Sequence, residues 1–400
     1  MGILSRLRSS PAVWAAALAV AVAGCGTPPV AEPEDGPPPA VTLTEAPVPA
    51  STTPTPTPTR EPRAATVVMN GDLLWHNTLV LDAQRAATAS EAMDFTPLLE
   101  GVRPIVEAAD MAICHNEVPV AKPDGPYSYY PTFKAPQETL DAVKDIGYDL
   151  CTTASNHSLD DGWSGLVRTL DAMDERGIAH AGTARTAEEA DGPRTFTTAD
   201  GVRIAVVTGT YGTNGIPRPK DKQWSVPDLD ADTMLRRATL AREAGADIVL
   251  VAIHGGEEYA SQPNSQQKEL AERLTASDDV DLVYGHHVHV VQPWTRINGK
   301  WVVYGLGNLV AQHKSDVPRG YEGVTARFTF QEEGDRFVVE KAEFIPTLVT
   351  GSRSGAPARL YLVNEALKNG VGDQQRLKTA QERTARVVHS LGGTEDLIES

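Results

Sequence analysis

The sequence predicts an α/β fold built on largely parallel strands. Two observations carry the prediction. Apolar, β-branched runs alternate with helical patterns of roughly 10–15 residues, the signature of βαβ units. Polar residues of metal-binding type stand where run after run stops, and ligands in open α/β sheets collect beyond the carboxyl ends of the strands. A third feature closes the fold: past Val324 the alternation gives way to two longer runs split by Glu333-Gly334-Asp335, which predicts an antiparallel hairpin.

The predicted strands are 66–69, 110–114, 148–153, 203–208, 247–253, 281–284 and 301–304. Between them, helical patterns cover 95–109, 136–147, 163–176, 232–244 and 265–276. The hairpin strands are 326–330 and 336–344, and a helical tail runs through 371–391. Cys114 and Cys151 end adjacent predicted strands and either form a disulfide or stay as two buried thiols.

Ahead of this domain lie two unlike segments. Residues 1–24 carry Arg6 and Arg8, an apolar stretch over 11–23 and small residues before Cys25, the layout of a secretory signal. The apolar stretch falls short of the about 20 residues that a membrane-spanning helix needs. Val22-Ala23-Gly24-Cys25 resembles the lipobox of bacterial lipoproteins, which implies a lipid on Cys25 and a protein tethered to the extracytoplasmic face of the cell membrane. Residues 25–65 follow, with twelve prolines, a Thr-Pro alternation and no aromatic residue. Such a stretch cannot bury enough apolar surface to order itself, and as polyproline II it reaches up to roughly 120 Å.

Charge narrows the partners. Lys and Arg number 36 against 53 Asp and Glu, a formal net charge of −17, and no basic run of five or more occurs. Nucleic-acid affinity comes mainly from clustered Lys and Arg, so nucleic acid is excluded as a partner. There is no Gly-x-x-x-x-Gly-Lys-Ser/Thr loop for ATP and no Gly-x-Ser-x-Gly elbow. Gly305-Leu306-Gly307 is similar to a dinucleotide loop but has Val310 where the third glycine belongs.

The strand ends carry the chemistry. Asp72 follows the first run, His115-Asn116-Glu117 the second and Ser155-Asn156-His157 the third. His254-Gly255-Gly256-Glu257-Glu258-Tyr259 follows the fifth, and Gly285-His286-His287-Val288-His289 the sixth. Carboxylate, amide oxygen and imidazole together suit Zn, Mn or Fe. Singly, each has a plainer reading: Asp72 starts a turn, Glu117 pairs with Lys122, Asn156 takes a turn conformation, His254 is a hydrogen-bonded polar residue. Three histidines in four residues are harder to satisfy without a metal or an anion. His-x-His on an extended segment sets two imidazoles on one side, facing one ion.

The ordered set resembles the bacterial CapA (PgsA-type) proteins of poly-γ-glutamate capsule synthesis, in the calcineurin-like metallophosphoesterase superfamily. The family's Asn-Leu-Glu-x-Pro, Asn-Asn-His-x-x-Asp-x-Gly, His-Trp-Gly-x-Glu-Tyr, Gly-His-His-Pro-His-Val and Tyr-Ser-Leu-Gly-Asn-Phe find their counterparts at 115–119, 155–162, 254–259, 285–290 and 304–309, after Gly71-Asp72. The likeness covers about 66–350, leaving 351–400 as a C-terminal helical extension. It implies a four-layer αββα sandwich with mixed sheets and a two-metal site on its rim. Asp72, Glu117, Asn156, His254, His287 and His289 would be the ligands. His157 would be the general acid, with Asp160 and Glu258 orienting imidazoles.

The chain also departs from the pattern. Phosphoesterases of the superfamily open with Asp-x-His, whereas Leu73-Leu74 follows Asp72 here and His76 stands two positions further on. The expectation is therefore a metal-dependent, hydrolase-like surface lipoprotein that handles poly-γ-glutamate or a related anionic polymer with membrane synthase components. A non-catalytic capsule-assembly scaffold with an idle site, and a phosphoesterase acting on envelope phosphates, stand beside it.

Overall fold

The computed structural model describes residues 61–88, 92–313, 317–352 and 356–400. The signal-like start, Cys25 and the tether as far as residue 60 lie outside them. The chain opens with β1 (Ala64–Leu73), β2 (Met111–Asn116), β3 (Leu150–Thr152) and β4 (Ala179–Ala181). Next come β5 (Thr195–Thr197), β6 (Arg203–Thr210), β7 (Ile248–His254), β8 (Leu282–His286), β9 (Trp294–Ile297) and β10 (Lys300–Val303). Then follow β11 (Asn308–Val310), β12 (Glu322–Glu333), β13 (Arg336–Val349), β14 (Leu360–Leu362) and β15 (Ile398–Glu399).

Two mixed sheets result. One runs β14-β13-β12-β1-β2-β3-β4, with β11 beside β1 and β15 beside β13; the other runs β5-β6-β7-β8-β10-β9. Their centres are parallel, through β1–β2–β3–β4 and through β6–β7–β8–β10. The predicted hairpin is β12–β13, antiparallel over 322–349, with Gly334 at φ 66° in its turn. Every predicted longer strand is present. The strands missed, β4, β5, β9, β11, β14 and β15, are two to four residues long, too short for a period-two pattern to register.

Alternation along the strands builds the layers. On β7, Ile248, Leu250 and Ala252 enter the core between the sheets, where they meet Val67 and Met69 of β1, Ile113 of β2 and Phe328 of β12. Val249, Val251 and Ile253 point the other way, onto Met234, Ala238, Leu270 and Leu274 of the helices Ala231–Glu243 and Ser265–Thr275. The outer face of the first sheet packs Ala112, Cys114 and Cys151 against Leu140, Val143 and Met173 of the helices Glu138–Ile146 and Gly162–Glu175. The architecture is thus helix, sheet, sheet, helix. Cys114 and Cys151 sit opposite each other in the β2–β3 register with Cα atoms 4.5 Å apart and are joined as a disulfide. Among the described residues no helix is long and apolar enough to cross a membrane.

Candidate metal centre

The centre lies where the inter-sheet core ends. On β2 the inward positions Met111 and Ile113 are followed by His115; on β7, Leu250 and Ala252 by His254; on β8, Leu282 and Tyr284 by His286. Two-residue periodicity therefore carries three imidazoles onto the inward face, at the carboxyl ends of three parallel strands. Register brings them level: Asp72 of β1 pairs with His115, and His254 with His286. Glycines permit the close approach. A Cβ on Gly71 would stand 2.2 Å from Gly307 O, and one on Gly285 would stand 2.1 Å from Tyr304 O.

Loops supply the remaining groups. Glu117 follows β2, Asn156 and His157 follow β3, and His287 and His289 follow β8. The sequence reading placed His287 and His289 on one side of an extended segment. The backbone instead takes the left-handed region at both, with φ 87° and 56°. Non-glycine residues seldom do so, and this turn aims both rings at the centre.

Four donor groups result, each with its ligand-type atoms within 4.8 Å of one another: Asp72, Glu117 and His289; Glu117, His254 and His287; Glu258, His287 and His289; and Asp72, His115 and His286. Asn156 Oδ1 lies 2.7 Å from His254 Nε2, whose ring also meets His115 Nε2 through Nδ1 at 2.9 Å. His286 Nδ1 lies 2.8 Å from Asp72 Oδ1, and its ring stacks on His115 at 4.0 Å. His289 Nδ1 is 2.9 Å from Asn308 Oδ1, which leaves Nε2 facing Glu117 Oε1 at 3.6 Å. His157 Nδ1 is 2.7 Å from Asp160 Oδ2, which also accepts the Phe133 backbone N–H. All of these except Glu258 are buried.

The electrostatics are those of a crowded, buried site. Burial pushes the Glu117 carboxyl up to about 7. Burial also opposes the charge on Asp72, but hydrogen bonds with His286 and His289 outweigh it and hold that carboxyl well below the usual range. His254 and His115 are driven down by burial, and His287 falls to about 3 from burial and the neighbouring His289. His289 goes the other way, up to about 10, because Glu117 and Asp72 outweigh its burial. His157 is raised against its burial by the hydrogen bond to Asp160.

The residues fit divalent cations on an observation independent of their types. Both Glu117 carboxylate oxygens, His287 Nδ1 and His286 Nε2 are buried without a hydrogen-bond partner. Buried polar atoms are seldom left so, and four in one cluster of carboxylates and imidazoles suit positively charged occupants. Glu117 does not pair with Lys122, the plainer alternative. All six sequence-predicted ligands come together here, with His157 and Asp160 beside them and Glu258 on the exposed side.

Sequence reasoning missed the supporting roles of His115, His286 and Asn308. The first two were legible in the period-two pattern, as the next inward residues after two apolar ones. Asn308 was not, because its contact with His289 depends on β11 lying beside β1. His76, displaced from the place of the family's imidazole, still reaches the rim, with its ring 5.5 Å from that of Phe133 and 5.8 Å from that of His313. Leu74, which occupies that place, is buried among apolar neighbours.

Residues 66–313 match the family described as bacterial capsule synthesis protein PGA_cap. The chain is 28% identical over 223 residues to the PGA biosynthesis protein CapA of Bacillus subtilis, covering 53% of this chain and 56% of that protein. It is also 28% identical over 260 residues to the capsule biosynthesis protein CapA of Bacillus anthracis, covering 63% and 61%. The chain thus spans somewhat more than half the length of these curated relatives. Solved structures similar to it include a putative 5'-nucleotidase from Staphylococcus aureus, with 17% identity, a TM-score of 0.45 and coverage of 80% of this chain and 58% of that one. A calcineurin-like phosphoesterase from Bacillus subtilis gives 13% identity, a TM-score of 0.44 and coverage of 81% and 97%. The family match extends over more than half of the sequence and includes each residue of the donor cluster, so the chain belongs to the bacterial capsule synthesis protein family PGA_cap.

Proposed function

We propose that this chain is a lipoprotein, anchored through Cys25 on the extracytoplasmic face of the cell membrane, whose metal-dependent hydrolase-type domain handles poly-γ-glutamate or a related anionic envelope polymer. It would work in synthesis, transfer or export beside membrane synthase components. The observation that carries the reading is the buried, unsatisfied donor cluster at the strand ends. The names of the two Bacillus relatives, one for PGA and one for capsule biosynthesis, support the substrate class.

Two divalent cations, of Mn, Zn or Fe, match the donor set. Glu117, His254, His287 and Asn156 would hold one, and Asp72, Glu117 and His289 the other. Bound there, a cation polarises a substrate oxygen and neutralises the negative charge that develops on it. The chain's own residues do the rest. Asp160 fixes His157 through Nδ1, so that its other ring nitrogen is the one left to pass a proton to a leaving group. Burial of the cluster keeps bulk water away and strengthens each electrostatic contact.

A second reading, a non-catalytic assembly factor with an idle site, is favoured by Leu74, which stands where an imidazole ligand would complete the Asp72 side. Metal analysis and turnover separate the readings. The purified chain should retain divalent cations and lose them in the His287→Ala, His289→Ala double variant. A metal-free chain indifferent to that change would sink the proposal. Cations without turnover of poly-γ-glutamate or phosphodiesters, with Mn²⁺ or Zn²⁺ supplied, would favour the scaffold. Turnover of phosphate esters alone, abolished in Asn156→Ala or His157→Ala, would identify a phosphoesterase.

A further inference from the structure

Beside the donor cluster lies a set of groups that belongs to none of its four ligand groups. The His313 ring is 5.8 Å from that of His289, and the Tyr259 ring is 5.6 Å from His313 and 6.2 Å from His289. The Arg319 guanidinium donates to the Tyr259 carbonyl at 3.3 Å. Unlike Asp72, Glu117, Asn156, His254, His287 and His289, which are buried, these three residues are only half-buried. Tyr259 is pinned at φ 63° by its backbone N–H, which donates to Val288 O at 2.8 Å between His287 and His289.

Each of the three carries a donor group. Asn308 Nδ2 is identified as the amide nitrogen by two carbonyl acceptors, Gly320 O at 2.8 Å and His289 O at 3.2 Å. The same nitrogen, whose two hydrogens are shared among three acceptors, stands 2.8 Å from His313 Nε2; an amide nitrogen does not accept, so this contact suits the neutral tautomer with its proton on Nδ1. Arg319 makes no ion pair among the described residues, whereas Arg376 and Arg383 close by are both taken up by Glu322. The Tyr259 hydroxyl completes the set. The adjoining carboxylate, Glu258, groups with His287 and His289. A guanidinium held on the Tyr259 carbonyl and, among the described residues, free of any ion pair, an imidazole and a phenol thus lie side by side next to His289; these are groups suited to an oxyanion, and the guanidinium fork matches carboxylate or phosphate.

We infer that Arg319, Tyr259 and His313 form an oxyanion subsite next to the metal centre, which seats a side-chain carboxylate of the anionic polymer. The inference rests on the proposed function and deepens it: it would explain how a chain of net charge −17 holds a polyanion, through a local cation at the rim with no ion pair among the described residues.

Calorimetric titration of the full chain with a γ-linked glutamate decamer, and separately with inorganic phosphate, tests it. Arg319→Met should weaken decamer binding about tenfold or more, as expected for loss of a charge-assisted contact, and Arg319→Lys should recover part of it. Tyr259→Phe should weaken it less. Metal content and melting temperature should stay as in the unmodified chain, which separates loss of the subsite from loss of the fold. Decamer binding that Arg319→Met leaves unchanged overturns the inference while sparing the proposed function. A chain that binds phosphate in an Arg319-dependent way but ignores the decamer keeps the oxyanion seat and overturns the polymer as its occupant. Failure to bind either probe overturns both.

Discussion

The inter-sheet core and the rim are two stretches of the same strands, and they obey opposite rules. Along β7, Leu250 and Ala252 are sealed among aliphatic and aromatic neighbours with no polar atom to satisfy. Two residues further on, His254 enters a cluster where both Glu117 oxygens, His286 Nε2 and His287 Nδ1 are buried without partners. Each such atom costs about 1–3 kcal/mol, and His287, His289 and Tyr259 add left-handed backbone to the burden. The core must offset what the rim loses. Stability is concentrated in the middle of each strand so that its carboxyl end can hold an arrangement unfavourable in isolation.

The sharpest way to break this comparison is Leu250→Ala. Burial at 0% exposure predicts a loss of about 2–5 kcal/mol in urea unfolding, with cation content per folded molecule unchanged. Cation loss in step with stability would show core and rim to be one unit. Asn308→Ala sharpens it from the other side. Removing the acceptor that turns His289 Nε2 towards Glu117 should lower cation affinity about 10–100-fold, read by competition with a chelating dye, with a stability loss of about 1–3 kcal/mol from the buried Gly320 and His289 carbonyls left unpaired. The smallest effect lies far from the rim, on the hairpin. Burial works against the Glu343 carboxylate, yet hydrogen bonds from Arg327, Ser400 and Lys341 bring its pKa down from 4.5 to about 2. A depressed carboxylate contributes stability that is fully present above the unfolded value and lost as pH falls through the folded one. Denaturant midpoints should therefore decline between about pH 4.5 and 2, and Glu343→Gln should flatten that decline without altering cation binding at neutral pH.

Much of the fold was legible because its strands are long and its helices amphipathic: the seven predicted runs and the hairpin all became strands. The rim was legible for a different reason. Asp72, Glu117, Asn156, His254, His287 and His289 each follow an apolar run, and parallel strands deliver their carboxyl ends to one place. Local geometry was less accessible. The His287–His289 turn was expected to be extended, and nothing in His-His-Val-His announces two left-handed residues; the turn is imposed by hydrogen bonds such as that of the Tyr259 N–H to Val288 O. The disulfide was an open choice in sequence, and the β2–β3 register closed it by setting Cys114 opposite Cys151.

Sequence alone determined the longer elements and which chemical groups arrive at their ends, because periodicity and strand order are local or sequential properties of the chain. Which groups meet was decided by tertiary structure. Asp72 lies level with His115 on one side and Asn308 on the other only because β2 and β11 both pair with β1. His289 presents Nε2 to Glu117 because Asn308, nineteen residues away, takes its other nitrogen. Hydrogen bonds set by register between strands distant in the chain convert a list of donors into an oriented site.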